Sequence, residues 1–434
     1  MNSVHHQRLP VSIHSPRLVA SITMASQGLI PFLVAMMLLT GVCNTLLTKY
    51  QDNQCVRNCG PDDDPIDRDF FNQPILQTAQ MFVGEMGCWL VIGLMALWRR
   101  TTGSGTPIEQ GYEAVNTTET SDPTAEEDND RTKLLHSSQG SLLRGYRVVL
   151  LALPAICDIC GTTLMNAGLL MVAASIYQMT RGALVLFVGL FSVIFLGRTL
   201  RLFQWISLLG VVLGVAVVGL AGAIWPDEKP ESSPKDGTEI EGGLSDASRA
   251  IVGVLLIAGA QIFTATQFVL EEWILENSSI EPIRVVGWEG LFGFTVTLLG
   301  MAVLHFSIGV TEAGKFGFFD MAEGWRQMTG NKQILMSSIL IMISIGGFNF
   351  FGLSVTRSVS ATSRSTIDTC RTLFIWIVSL GLGWESFKWL QIVGFALLVY
   401  FTFVFNGIVQ PPLKRWRHEE EIESLLPEEP IEHQ

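Results

Sequence analysis

The sequence predicts an all-α integral membrane protein, with ten transmembrane helices in two inverted five-helix repeats. Three observations carry this. The 434 residues are 48% hydrophobic and 16% charged, with a mean hydropathy of +0.38, whereas a soluble domain carries about 25% charged residues. Ten apolar stretches recur, each near the ~20 residues that a bilayer requires. A shift of 184 residues lays Gly168-Leu169 on Gly352-Leu353, Gly197 on Gly381, Phe203-x-Trp205 on Phe387-x-Trp389 and Gly210 on Gly394. Such self-similarity is the mark of a repeated unit. Five spans per half is an odd number, so the second half must enter from the opposite face. Inverted repeats of this kind place a binding site at their interface, near the midplane.

Residues 1–26 carry Ser, His and Arg without acids and read as a disordered leader; a transit peptide is the other reading. Residues 27–224 hold the first repeat, with spans near Leu29–Leu47 and Ile75–Trp98, a third ending near Leu170, then Tyr177–Leu196 and Leu202–Ile224. Inside it, 99–146 is rich in Thr, Ser, Glu and Asp and poor in aromatics, the composition of a disordered cytosolic loop. The hinge Leu196–Arg201 is short enough to be only a tight turn. Residues 225–249 read as a lumenal linker. Residues 250–409 hold the second repeat, with spans near Ile251–Leu270, Val285–His305, Ile334–Val355, Ser365–Leu382 and Trp389–Ile408, and 410–434 form a cytosolic tail.

The 41 glycines suit a helical bundle in lipid, because small residues let backbones approach. The net charge of −12 is concentrated near 61–69, 109–130, 226–246 and 419–432, so it describes loops and tail rather than a ligand. The seven cysteines show no zinc spacing. Cys157 and Cys160 read as two small core thiols. Cys55 and Cys59 flank a polar loop and stand open between free thiols and a lumenal disulfide. With both termini in the cytosol, the cytosolic segments hold 16 Lys and Arg against 10 on the other side, in the sense of the positive-inside rule.

Ionisable residues inside the spans mark candidate sites, since a centred charge costs roughly 2.5–3.5 kcal/mol on insertion scales. Arg181, after Gln178, is placed to grip an anionic group bidentately; its structural alternative is an ion pair or snorkelling. Asp158 lies mid-span, suited to a coupling proton or to pairing with an arginine. Asp368 and Arg371, three apart, share a helix face and either bridge each other or line a cavity. Glu85 and Glu289 stand in the same position of choice. Asn44, Asn349, Gln80, Gln261 and Gln267 either line the pathway or hydrogen-bond between helices. Glu271-Glu272 reads as a solvated helix end.

From Ser175-Ile-Tyr-Gln-Met-Thr-Arg-Gly-Ala-Leu through Leu196-Gly-Arg198, the chain resembles the drug/metabolite transporter superfamily (EamA-like). It is most similar to the F6 branch of solute carrier family 35, the nucleotide-sugar-transporter-like family. Leu153-Pro-Ala-Ile-Cys-Asp158, Leu270-Glu-Glu272, Glu289-Gly-Leu-Phe-Gly-Phe294, and Ser360-Ala-Thr through Asp368 and Arg371-Thr agree with it. The resemblance implies movement of a polar solute across an organelle membrane by alternating access. The Phe-Tyr-Asn-Asn and Gly-Ala-Leu-Asn-Lys signatures of well-understood nucleotide-sugar carriers are absent, the nearest stretches being Phe348-Asn-Phe-Phe351 and Ser363-Arg-Ser-Thr-Ile-Asp368, so the resemblance leaves the nucleotide sugar itself open.

Two acidic dileucine patterns, Glu421 with Leu425-Leu426 and Asp130 with Leu134-Leu135, resemble signals read by clathrin adaptors. They point to a lysosomal or endosomal membrane, with Golgi or mitochondrial membranes as alternatives. The expected partners are the bilayer, a small-molecule solute and those adaptors. No HExxH, Gly-rich phosphate loop or nucleophile elbow is present, so an enzyme ranks last, and no metal, cofactor or nucleic acid is expected. Two other classes stay in play: a non-transporting scaffold that binds a mitochondrial or apoptotic partner, and a lysosomal exporter of amino acids, peptides or cationic solutes. The sequons at Asn116 and Asn277 fall in the cytosol in this orientation. Digestion of the cell-expressed protein with an N-glycosidase should therefore leave its mobility unchanged. A shift would reverse the orientation.

Overall fold

The computed structural model describes residues 16–60, 68–102, 145–169, 171, 177, 180–224, 246–311, 314–315, 317–383 and 387–410, without the side chains of 16–28, 145–147, 169, 219, 221–223 and 246–250. Gln178, Asn116 and both dileucine patterns lie outside the described residues. The described chain is helical apart from two short strands. Its helices are α1 Pro16–Asp52, α2 Pro74–Thr102, α3 Ala152–Leu169 (preceded by a tight 3-10 stretch, Gly145–Leu151), α4 Leu184–Leu196, α5 Leu202–Ile224, α6 Asp246–Glu276, α7 Pro282–Leu304, α8 Met321–Gly330, α9 Lys332–Ser358, α10 Ala361–Gly381 and α11 Trp389–Phe405.

Among the described residues, six helices are long and apolar enough to cross a membrane: Leu29–Asp52, Pro74–Thr102, Val148–Gly168, Ile251–Glu276, Pro282–Gly309 and Lys332–Ser358. The apolar helices Leu184–Leu196, Leu202–Val218 and Trp389–Phe405 are shorter. The tenth expected stretch lies in α10, which carries Arg364, Asp368 and Arg371 along one face. Its polarity is hidden by packing against α1, α4, α9 and α11. The outside of the bundle is apolar, with Leu94, Ile194, Leu209, Leu299 and Ile343 all exposed, while Glu85, Glu271, Glu289 and Arg364 are buried. Apolar side chains outward and polar ones inward is what a lipid solvent selects.

The helix ends follow from local sequence. Gly197 ends α4 in the left-handed conformation, φ 67°, which glycine adopts without a Cβ penalty, and the chain turns into α5 within the expected hinge. Pro282 opens α7, where its missing N–H costs nothing. Asp320 caps α8 by accepting from the Glu323 N–H at 3.2 Å. Asn331 caps α9 through the Gln333 N–H at 2.9 Å. Ser360 caps α10 through the Ser363 N–H at 3.0 Å.

The most extensive helix pairings are α5 with α11, α3 with α6, α1 with α9 and α2 with α7. Glycines allow close crossings, here and between α2 and α9. A Cβ at Gly394 of α11 would lie 2.8 Å from the Gly214 carbonyl oxygen of α5, and one at Gly346 of α9 would lie 2.6 Å from the Gly84 carbonyl oxygen of α2. One end of the bundle is closed by a small polar cap. Cys55 and Cys59 are joined in a disulfide, answering the question the spacing left open. Strands β1 (Cys55–Arg57) and β2 (Asp69–Phe70) pair antiparallel. Arg57 reaches Glu323 of α8 at 3.1 Å, and Arg326 meets the same carboxylate at 2.6 Å. Burial pushes the Glu323 carboxyl up, but hydrogen bonds from Arg326, Gln327 and Arg57 outweigh it and hold the group below its ordinary range.

Two readings are corrected. Glu271 and Glu272 are not a solvated end: α6 continues to Glu276 and both are buried, 1% and 2% exposed. Arg364, counted with the cytosolic loop charges, is 1% exposed, because the Ser360 cap starts α10 four residues before the expected Ser365. The glycine contacts give a paired prediction. Gly346→Val should lower the melting temperature, since overpacking costs about 1–3 kcal/mol, whereas Gly87→Ala, with nothing within 4 Å of the added Cβ, should leave it unchanged or higher. Thermal unfolding of both variants in detergent decides it.

Candidate functional site

The buried charges gather in two groups along α10. The first surrounds Arg364, in the first turn of that helix. Its guanidinium pairs with Glu271 of α6 and lies 4.1 Å over the Phe268 ring. Gly352 of α9 makes room for it, since a Cβ there would stand 2.8 Å from Arg364 Nε. The neighbouring Glu272 accepts from the Ala361 N–H at 3.1 Å, using the positive end of the α10 dipole. Glu272 also meets Arg198 at 3.1 Å, and Arg198 pairs with Glu276 as well. The α4–α5 turn is thereby tied to the end of α6 and the start of α10. Arg357 closes the same end by donating to the Ile280 carbonyl at 2.5 Å.

Three further carboxylates lie within electrostatic reach of Arg364: Glu85 of α2, Asp158 of α3 and Glu289 of α7. Asn349 of α9 donates to Glu85 at 2.5 Å. Thr162, one turn along α3, donates to Asp158 at 3.3 Å. So the structure brings together four of the residues the sequence singled out, Glu85, Asp158, Glu289 and Asn349. It adds Arg364, Glu271 and Glu272, which sequence reasoning placed in solvent. The available signal was spacing: Arg364 stands four residues before Asp368 and seven before Arg371, which puts all three on one stripe of a helix.

The second group lies one to two turns further along α10. Arg371 and Asp368 bridge at 3.3 Å, the internal pair that was one of the two readings. The Arg371 guanidinium sits 4.8 Å over the Phe348 ring of α9, and its stem fills the space beside Gly41 of α1, where a Cβ would lie 2.8 Å from Arg371 Cδ. Arg181 and Tyr177 interact electrostatically with Arg371. Asn44 of α1 is joined to this wall by Ser344 of α9, which donates at 3.4 Å. A guanidinium bridged to one carboxylate thus has a second cationic charge within electrostatic reach, an excess of positive charge suited to an anion. Cys157 and Cys160 are free thiols.

An apolar shell around a charged interior, built on close helix crossings, defines a polytopic helical membrane protein. The nucleotide-sugar transporter family pattern matches residues 124–347. An uncharacterised protein of Schizosaccharomyces pombe is 37% identical over 87% of this chain and 97% of its own length. Solute carrier family 35 member F6 of Homo sapiens is 36% identical over 88% of this chain and 90% of its own length. The UDP-N-acetylglucosamine transporter of Rattus norvegicus is 31% identical over 36% of this chain and 42% of its own length. A crystal structure matches with a TM-score of 0.51 over 88% of this chain and 99% of that one, at 13% identity, a likeness of fold alone. The chain belongs to the nucleotide-sugar transporter family, within solute carrier family 35.

The buried pair gives a stability test. Glu271→Gln leaves Arg364 buried without its partner and should cost about 3–5 kcal/mol. Replacing both, Glu271→Leu with Arg364→Met, should recover most of that loss, because two apolar groups of similar volume leave no orphaned charge. Denaturant or thermal unfolding of the single and double variants reads the difference.

Proposed function

We propose that the protein is a secondary carrier that moves a polar small solute, anionic or nucleotide-related, across an organelle membrane by alternating access. The observation that carries this is Arg371, buried over the Phe348 ring and bridged to Asp368, with the Arg181 charge within electrostatic reach of it. Phosphate or carboxylate would be drawn to these guanidinium charges. The family, and the relative named for moving UDP-N-acetylglucosamine, support the same class of cargo.

Ten spans in two inverted repeats are part of this reading. The helix pairings support it. Exchanging α1 with α6, α2 with α7, α3 with α9, α4 with α10 and α5 with α11 turns the α1–α9 pair into α3–α6 and the α2–α9 pair into α3–α7, while α2–α7, α4–α10 and α5–α11 map onto themselves; every one of these pairs is in contact. A two-fold relation between the halves produces such a pattern. Cytosolic termini, a lysosomal or endosomal membrane, and adaptor binding through Leu425-Leu426 and Leu134-Leu135 complete the proposal and rest on the sequence.

The four carboxylates around Arg364 favour a second reading, an exporter of amino acids, peptides or cationic solutes. Thermal stabilisation of the purified protein against nucleotide sugars, nucleotides, amino acids, peptides and cationic drugs separates the two, because a ligand of the folded state raises the melting temperature by mass action. A nucleotide-class hit that vanishes in Arg181→Ala, with the variant folding and sorting normally, is the expected outcome. An unchanged hit, or normal flux in that variant, would remove Arg181 from the site. A well-folded protein with a blank panel would favour the scaffold class.

A further inference from the structure

Glu289 sits on α7 where that helix crosses α2. It is 6% exposed, and its Oε1 has no hydrogen-bond partner among the described residues. The crossing is tight: a Cβ at the adjacent Gly290 would lie 2.6 Å from the Cβ of Glu85. Beside this crossing stand Glu85 and Cys88 of α2 and Asn349 of α9, and within its electrostatic reach lie Asp158 of α3, Glu271 of α6 and Arg364 of α10. The Gly145–Leu151 stretch contributes apolar Val148, Leu150 and Leu151.

The pairings within this group leave Glu289 over. Arg364 engages Glu271, Asn349 donates to Glu85, and Thr162 donates to Asp158. Four carboxylates against one guanidinium leave an excess of negative charge that a bilayer interior does not tolerate unneutralised. A metal ion is a poor fit, because no three His, Cys, Asp or Glu side chains among the described residues converge closely enough to hold one. A proton needs no cage, only one carboxylate oxygen with room for a hydrogen, and Oε1 of Glu289 is that atom.

We propose that Glu289, with Glu85 beside it, is a proton-binding site of this protein. The proton comes from water, forms an O–H bond on Oε1, cancels one negative charge and returns to water when the site is next wetted. Proton binding stands on the geometry of the crossing. Its use as the coupling ion rests on the carrier reading above, in which α2 and α7 are exchanged with each other and so lie at the interface of the halves.

The test is pH-difference infrared spectroscopy of the full chain in lipid vesicles, with no solute added. Wild-type protein should show the C=O band of a protonated carboxyl that fades as the pH is raised from about 5 to about 9, the range open to buried carboxyls. Glu289→Gln should lose intensity in that band, Glu289→Asp should keep it with a moved midpoint, and Glu85→Gln should move the midpoint. Glu323→Gln, in the polar cap outside the membrane, should leave it unchanged. A band identical in wild type, E289Q and E85Q would overturn the proposal. A band that responds to sodium at fixed pH would assign the site to a metal cation instead. Neither result depends on finding a solute, so failure here is distinct from failure of the carrier reading.

Discussion

A guanidinium does not give up its proton, so an arginine enclosed in a membrane protein must be met by carboxylate. Arg364 is 1% exposed, and the arrangement around it follows from that requirement. Glu271 must stay inside, which keeps α6 helical to Glu276. Gly352 must stay small to leave the arginine its volume. Phe268 supplies a face whose quadrupole favours the cation. Four helices, α6, α9, α10 and α2, are brought into register by one side chain and its neighbours. Arg371, with the Arg181 charge within electrostatic reach, lies about two turns further along α10, positioned by the helix that Arg364 anchors.

Close backbone approach is the second constraint. In lipid there is no hydrophobic drive between helices, so contact depends on van der Waals fit. The crossings at Gly84 with Gly346, Gly214 with Gly394, and Gly290 with Glu85 bring polar side chains near one another that bulkier residues would hold apart. Asn349 reaches Glu85 for this reason. The same closeness leaves Glu289 with carboxylates as its nearest charged company.

Much of the architecture was legible in the sequence. Apolar runs gave helices, six of them long and apolar enough to span a membrane among the described residues, and Gly197 gave the turn between α4 and α5. The Asp368–Arg371 bridge could be read from i, i+3 spacing. The centre of the site was harder. Arg364 lies beside Arg357 and a string of Ser and Thr, which reads as a polar loop until the Ser360 cap is seen to start a helix. Glu271-Glu272 reads as an end because the apolar run stops at Leu270, while the helix continues past it, held by partners far away in the chain. Such pairings, 93 residues apart for Glu271 with Arg364, leave no periodic signal. Gln178, a candidate beside Arg181, falls outside the described residues.

The two arginines that fasten α6 to its neighbours differ in kind. Arg364 with Glu271 is sealed from water, 2% and 1% exposed, whereas Arg198, reaching Glu272 and Glu276 from the α4–α5 turn, is 47% exposed. Breaking a sealed pair costs several kcal/mol, while a wetted one is worth about 0–1 kcal/mol. Mechanically, the first is a rivet between α6 and α10, while the contact of Arg198 with Glu276, 47% and 43% exposed, is a catch that the α4–α5 turn can release at little cost.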